Sequence, residues 1–405
     1  DLRLGTVVEE QGARLRSDWA AGRYLMVRAL VVATIDRTLA GHARPRILQL
    51  KEMGLDVELA CRSSSTTAAG RLEALGLRRH EIAFARYPMR PSNLKAMWQL
   101  RSVLKRNTFD LIDVHTSVAG WLTRLAARLF SPQSTVIFTA HGLTVRKEQS
   151  SLKRAWRVLL EKTAGRWTDF LVVINREDEA AAIHYGLVAP QRVRYVPGVG
   201  IDSARFDPLR IDRGDVVKAR QALGLRESDV LFLTVGEFTD RKRQEDAVRA
   251  LARLGDPRAH LALAGSGELV GQVRAAADRL GVAEQTHFLG YRTDIAVWIR
   301  ASRATVLTST TEGLPVCVME SLAMEVPVIG TDVRGTRDLL QAGGGILVPL
   351  KDTQALAEAM RWMVAHPQEA AAMGRTGRHK VLERYALDKV LEHTERLYRE
   401  ALGSA

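Results

Sequence analysis

Short, mostly apolar segments of five to eight residues recur along the 405-residue chain, with helical stretches between most of them. Their apolar character is continuous rather than alternating. Each must therefore be covered on both faces, as in a parallel sheet with crossover helices. In the first half the strand candidates are RALVVATI (28–35), DVELACR (56–62), LIDVHT (111–116), TVIFTAHG (135–142), DFLVVIN (169–175) and RVRYVPGV (192–199). In the second half they are VLFLTVG (230–236), HLALAG (260–265), THFLG (286–290), ATVLTS (304–309), PVIGT (327–331) and GILVP (345–349). Helices are expected over 92–106, 118–130 and 150–165, among others. The pattern predicts two doubly wound α/β domains, 26–200 and 201–385. Their junction falls near VPGVGIDSARFDP (196–208), where Gly and Pro break the alternation. The closing segment, 386–405, holds an amphipathic helix with Leu387, Val390, Leu391, Leu397 and Leu402 near one face. It is expected to pack back on the first domain.

A chain of this length exceeds one ordinary core. An apolar fraction of 46% excludes a disordered chain. Residues 1–25 mix charges, lack the apolar core of a signal peptide and are expected to lie outside the fold. No apolar run reaches the roughly 18 residues of a membrane span. Cys61 and Cys317 give no disulfide framework, which suits a reducing cytosol. The net charge of +13 fits nucleic acid, an anionic membrane surface or an anionic small substrate. An arginine-rich composition also gives part of that charge with no function. A nucleic-acid binder would interleave aromatic residues with a basic groove, and the 6% of aromatics here are not so arranged.

The stretch TEGLPVCVMES (311–321) sets Glu312 and Glu320 eight residues apart. It follows the strand candidate ATVLTS, and a helix is expected to start at Pro315, since proline suits the first helical position. The start of a helix offers backbone N–H groups and the positive end of the dipole, which together bind anions. Gly313 lets a ligand approach the backbone closely. Glu320 lies one turn beyond Val316, and helical side chains lean toward the N-terminus, so its carboxylate points back to the anion site. Carboxylates repel a diphosphate but suit hydroxyls around it. The stretch therefore fits a nucleotide sugar, with its diphosphate at the helix start and sugar hydroxyls on each side. Read singly, Glu312 fits equally a helix-start charge and Glu320 an exposed helical residue.

TEGLPVCVMESLAMEVPVIGTDVRGTRDLL resembles the Glu-x7-Glu region of retaining GT-B glycosyltransferases, the large group 1 family. VATID, DVHTSVAGWLTRLAAR, FTAHG and VPGVGID are similar to its bacterial branch that builds capsular and exopolysaccharide units. The resemblance runs from about residue 27 to 400. It implies the GT-B fold: two Rossmann-like domains facing a cleft, with the donor mostly on the C-terminal one. It also implies retention of anomeric configuration, with no metal and no cofactor. By position, Glu312 would contact donor hexose hydroxyls and Glu320 the ribose hydroxyls. Gly313 and Leu314 would offer backbone N–H groups to the diphosphate, and Lys242 would neutralise the leaving group. The family often has an arginine just after the strand glycine, here Gly236, where this chain has Glu237; Arg241 is the candidate substitute. His141 matches a histidine near the reacting sugar, and by this resemblance Glu312, Lys242 and His141 would form the catalytic set. Gly265 and Gly267 match a tight turn beside the donor. Tyr291 and Arg292 lie where the family holds the base, Tyr291 itself being expected to pack. His115 fits a structural role as well as a site role, and Cys317 reads as a small core residue.

The acceptor is expected on the N-terminal domain, at the loop DRTLAGHARP (36–45), with Gly41 and His42 as candidates. The stretch 145–167 carries Leu152, Trp156, Leu159 and Leu160 near one face, amid Arg146, Lys147, Lys153, Arg154, Arg157, Lys162 and Arg166. Basic amphipathic helices of this kind lie on anionic membranes, and a buried helix with a solvated basic face is the other reading. The expected activity is transfer of a hexosyl unit from a nucleotide sugar, a UDP-sugar by resemblance, to a lipid-linked or glycan acceptor for cell-surface polysaccharide. The expected place is the cytoplasm, at the inner face of the plasma membrane. A sugar-nucleotide epimerase of similar shape is the alternative; it would need no acceptor.

Overall fold

The computed structural model describes residues 27–85, 87, 90–145, 149–341 and 343–403. The segment 1–25, Arg146 and Lys147 lie outside the described residues. The chain divides into two compact units, one running to Val196 and resuming at Leu391, the other spanning Pro197–Val390.

The first unit is built on a seven-stranded sheet in the order β3-β2-β1-β4-β5-β6-β7. These strands are β1 Arg28–Ile35, β2 Asp56–Arg62, β3 Arg79–Glu81, β4 Leu111–His115, β5 Thr135–Ala140, β6 Phe170–Val173 and β7 Val193–Tyr195. All neighbours pair in parallel. Continuous apolar strands make this possible: Ala29 to Ala33 along β1 are all fully buried, so both sheet faces are covered. Leu100, Val103 and Leu104 of the helix Ser92–Arg106 close one face, with Ala119, Ala126 and Ala127 of the helix Ser117–Phe130. Gly120 lets that second helix sit against Phe138, because a Cβ there would lie 2.5 Å from the ring.

The second unit holds a six-stranded parallel sheet in the order β10-β9-β8-β11-β12-β13. Its strands are β8 Val230–Val235, β9 Ala259–Ala264, β10 Thr286–Gly290, β11 Ala304–Leu307, β12 Val328–Thr331 and β13 Gly345–Val348. The strand order reverses between β1 and β4 in one unit and between β8 and β11 in the other. Such reversals open a crevice at the carboxyl ends of the strands, where ligands of doubly wound folds bind.

Three differences from the sequence reading are informative. β3 was not expected; its three residues, Arg-His-Glu, are polar and half exposed, so no apolar run marks it. β4, β5 and β11 end earlier than their apolar runs, at His115, Ala140 and Leu307. Thr116 takes a positive φ of 71° there and Gly142 one of 126°. Last, the helix after β11 runs Val316–Ala323, and Pro315 precedes it with an extended ψ of 115° rather than opening it.

The helix Leu387–Ala401 contributes Leu397 and Tyr398 to the buried part of the molecule, and Thr394 is fully buried with them. Thr394 donates to Oε1 of Gln49 at 2.5 Å, and the Gln49 amide donates to the Leu391 carbonyl at 2.7 Å. Polar residues thus complete a helix face that apolar spacing only outlined.

Candidate active site

In the second unit the crevice between β8 and β11 is lined by the two loops that leave those strands. The β8 loop begins at Gly236, where φ is 156°, and runs to Arg243, which holds the left-handed conformation at 49°. Thr308 ties the loops together by donating to the carbonyls of Lys242 and Arg243 at 2.8 and 2.9 Å. The Thr310 N–H donates to the Arg241 carbonyl at 2.8 Å. This lacing sets Lys242 and Arg241 against Glu312: Nζ of the lysine and a guanidinium nitrogen of the arginine each lie 2.7 Å from Oε1. Burial works to raise the Glu312 carboxyl, but the charges of Lys242 and Arg241 outweigh it and hold it below the usual carboxylate range. Two cations against one carboxylate leave the cluster with a net positive charge.

The helix Val316–Ala323 begins beside this cluster. The Leu314 side chain is buried against Gly198, where a Cβ would lie 2.5 Å from it. Gly335 passes so close behind that a Cβ on it would collide with the Gly313 carbonyl. Arg334 donates to the Glu312 carbonyl at 3.1 Å. Backbone at 312–314 is therefore pinned from two sides. Glu320 is half-buried on this helix, and burial pushes its carboxyl up to about 7, with Arg205 opposing. Cys317, half-buried, lies between the two glutamates, and burial raises its thiol to about 11, which makes it a poor nucleophile.

Gly265 and Gly267 follow β9 with φ of 150° and 152°. A Cβ on Gly265 would strike the Gly236 carbonyl, and one on Gly267 would lie 2.5 Å from the Phe238 carbonyl. The two glycines let this turn lie against the β8 loop, and the Phe238 N–H donates to Ser266 at 2.9 Å. Arg292 is held by Asp294 at 2.5 and 2.8 Å and lies over Trp298. Tyr291, expected to pack, is instead 74% exposed. The turn after β10 projects it outward, since Gly290 takes a positive φ of 66°.

In the first unit the crevice between β1 and β4 is bounded by the loop after β1. Gly41 ends the short helix Asp36–Ala40, and exposed His42 follows, its ring 6.2 Å from that of His141. His141 stacks on His115 at 5.3 Å, with Nε2 of His141 3.1 Å from Nδ1 of His115. His115 and Asp113 are fully buried, and Arg46, whose guanidinium donates to Thr139 at 2.9 Å, is buried beside them. Asp113, Arg46 and Tyr398 escaped the sequence reading. Asp113 stands two residues before His115 on one strand, so both side chains share a face, and an Asp-x-His pair inside an apolar run was the available signal. Tyr398 comes from the far end of the chain and gave none.

A doubly wound unit with a net cationic cluster and a helix start at its switch point is an anion-binding α/β architecture. Residues 215–380 match the family of glycosyl transferases group 1, and 42–198 match the glycosyl transferase 4-like domain. The Bacillus subtilis (strain 168) protein named "Putative glycosyltransferase EpsD" is 30% identical over 376 residues, covering 92% of this chain and 96% of EpsD. An Escherichia coli UDP-Gal:alpha-D-GlcNAc-diphosphoundecaprenol alpha-1,3-galactosyltransferase is 26% identical, over 76% of this chain and 79% of that one. Among solved structures, Anabaena HepE in complex with UDP superposes with a TM-score of 0.75 at 18% identity, covering 92% of this chain and all of that one. WaaG, a glycosyltransferase involved in lipopolysaccharide biosynthesis, gives 0.71 at 19%, over 91% and 99%. The chain belongs to the group 1 glycosyltransferases and has their GT-B fold. It is a transferase, which sets the epimerase alternative aside.

Proposed function

We propose that this glycosyltransferase moves a hexosyl unit from a UDP-sugar to a lipid-linked or glycan acceptor in cell-surface polysaccharide synthesis. The observation that carries the reading is the Lys242–Arg241–Glu312 cluster beside the start of the helix Val316–Ala323. The names of the relatives support it: one acts from UDP-Gal on a diphosphoundecaprenol-linked sugar. In this reading the diphosphate lies at the backbone of Gly313 and Leu314, with Gly236, Gly265 and Gly267 leaving room for it. Lys242 and Arg241 stabilise the negative charge that grows on the leaving phosphate. Glu312 then turns an oxygen to the hexose hydroxyls, Glu320 holds the ribose hydroxyls, and Tyr291 and Arg292 flank the base. His141 meets the donor sugar, and the acceptor enters at Gly41 and His42. Transfer proceeds with retention and without a metal. The acceptor hydroxyl attacks the face that the phosphate leaves, giving its proton to that phosphate. A covalent glycosyl adduct on Glu312, sought by mass spectrometry of the intact protein, would exclude this route.

The protein acts at the inner surface of the plasma membrane in this reading. Leu152, Trp156 and Leu159 on the helix Ser151–Gly165 are 84%, 59% and 56% exposed, whereas Leu160 is half-buried. Lys153, Lys162 and Arg166 are exposed around them, an amphipathic face suited to anionic lipid. Among the described residues no helix is long and apolar enough to cross a membrane.

The test is a thermal-shift panel of nucleoside diphosphates and their sugars, with and without EDTA, on the wild type and Glu320→Ala. UDP or a UDP-sugar is expected to raise Tm, insensitively to EDTA, and to lose the effect in the variant. A shift by GDP alone would redirect the donor, and no shift by any nucleotide would refute the site. Binding to vesicles with and without phosphatidylglycerol tests the surface.

A further inference from the structure

We propose that Asp113, His115 and Tyr398 are positioning residues that fix His141 in a single tautomer, protonated on Nε2, so that its Nδ1 accepts a hydrogen bond from a sugar hydroxyl. The inference rests on the reading of His141 as a residue of the donor site.

The chain of contacts begins at the end of the polypeptide. The Tyr398 hydroxyl, on the helix Leu387–Ala401, donates to Oδ2 of Asp113 at 2.6 Å. The same Oδ2 stands 3.4 Å from Nε2 of His115. On its other side the His115 ring meets His141, Nδ1 to Nε2, at 3.1 Å. Asp113 and His115 have no exposed surface and Tyr398 has 1%. Solvent therefore does not compete for these groups, and their mutual geometry sets the protons.

The direction of the chain follows from charge. Asp113 is held at about 2: burial would raise it, but His115, Arg46 and the Tyr398 hydroxyl together outweigh burial. It is a carboxylate and can only accept. The His115 nitrogen that faces it, Nε2, carries the proton. In the neutral ring this leaves Nδ1 of His115 with the lone pair. Across 3.1 Å, that lone pair accepts only from a protonated Nε2 of His141. Burial above all holds His141 well below the ordinary histidine range, with Asp113 opposing. His141 is therefore neutral, and its one proton is committed to His115. Nδ1 is left as an acceptor, the role a sugar hydroxyl needs.

The plain alternative is that Tyr398 and Asp113 merely dock the last helix. It predicts lost stability without any change in the His141 ring. Long-range 1H–15N NMR of the full-length protein, labelled at histidine, reads each ring directly, with His141→Gln providing the assignment. In the wild type between pH 6 and 8, His141 is expected as the neutral Nε2–H tautomer. In His115→Phe both tautomers should appear. His115→Asn, which places an amide oxygen near the position of Nδ1, should restore the single one. Tyr398→Phe keeps the packing and serves if the other variants fold poorly; it too should mix the tautomers, to a smaller extent.

Kinetics supply the second readout, as UDP release from the UDP-sugar that gives the largest thermal shift. His115→Phe should lower kcat about tenfold with KM within twofold, and should add nothing in a His141→Gln background. An unchanged His141 tautomer in both His115→Phe and Tyr398→Phe, or losses that multiply in the double variant, would overturn the proposal. Full kcat in His141→Gln with the tautomer shifts intact would instead remove His141 from the donor site, and with it the functional half of the inference.

Discussion

The two units contain nearly the same small object in different places. In the first, His115 and His141 stack at 5.3 Å and 28°, 3.1 Å apart between ring nitrogens, with Asp113 3.4 Å from the pair. In the second, His260 and His287 stack at 5.2 Å and 25°, also 3.1 Å apart, with Asp229 at 3.9 Å. The first pair lies where β4 and β5 end, the second near the beginnings of β9 and β10. Strand beginnings face no crevice at a switch point. Asp229 is also bound by Arg226, at 2.8 to 3.2 Å, and belongs to a surface ion pair. An Asp-His-His grouping is therefore not a site by virtue of its residues. Its position along the strands decides.

The sharpest way to test that contrast is to strip charge from one sheet end at a time. Lys242→Ala, at the carboxyl end, is expected to lower kcat about 10²–10³-fold, as removal of a group facing developing charge does. Arg226→Ala, at the amino end of the same sheet, should leave kcat within twofold. Steady-state rates for the two variants make the comparison, and equal losses would break it.

Close backbone packing gives the next effect. Gly265→Ala drives a Cβ into the Gly236 carbonyl at a φ of 150°, and should cost about 2–4 kcal/mol in urea unfolding. Gly255→Ala, at a φ of 65° with nothing near the new Cβ, should cost about 1 kcal/mol.

Titration sharpens the contrast further. The folded protein raises Glu320 to about 7 from an ordinary 4.5. Its contribution to stability is complete below pH 4.5 and is lost as pH rises through 7. Without nucleotide, Glu320→Gln should remove that fall in Tm. Nucleotide affinity should rise over the same range, because ribose hydroxyls donate to the ionised carboxylate. Calorimetric titration at pH 6 and 8 reads this, and an equal affinity at both would exclude the ribose role.

His287 shows the opposite sign. Burial, then the neighbouring His260, lowers it to about 4 from 6.5. Its stabilisation is present above pH 6.5 and is lost as pH falls toward 4. His287→Gln should flatten that limb of the Tm profile and leave activity at neutral pH within twofold. A large loss of activity would give the second histidine pair a role that its place at the strand beginnings denies it.

Much of the architecture was legible because burial on both faces imposes continuous apolar runs. β1, β2 and β10 coincide with their runs to the residue. The runs at β4 and β11 overshot, since hydroxyl residues at a strand end do not record where the ladder stops, and the run at β5 overshot through His141 and Gly142. In the site, Glu312, Lys242 and Arg241 were legible as chemistry, but their meeting on one carboxylate oxygen was not. Those positions lie 70 and 71 residues apart, and only the adjacency of β8 and β11 joins them. The exposure of Tyr291 was misread because an aromatic beside a strand packs in most settings.

By itself the sequence determined two parallel-sheet units, the helix start after β11 and the residue types of the charged cluster beside it. Periodicity and local backbone chemistry act over a few residues and are written in order. The tertiary structure alone decided which of two histidine pairs lies at a crevice, and that Tyr398 reaches Asp113 across 285 positions. Contacts of that range depend on strand order and helix docking, which the burial of whole faces selects and no local pattern encodes.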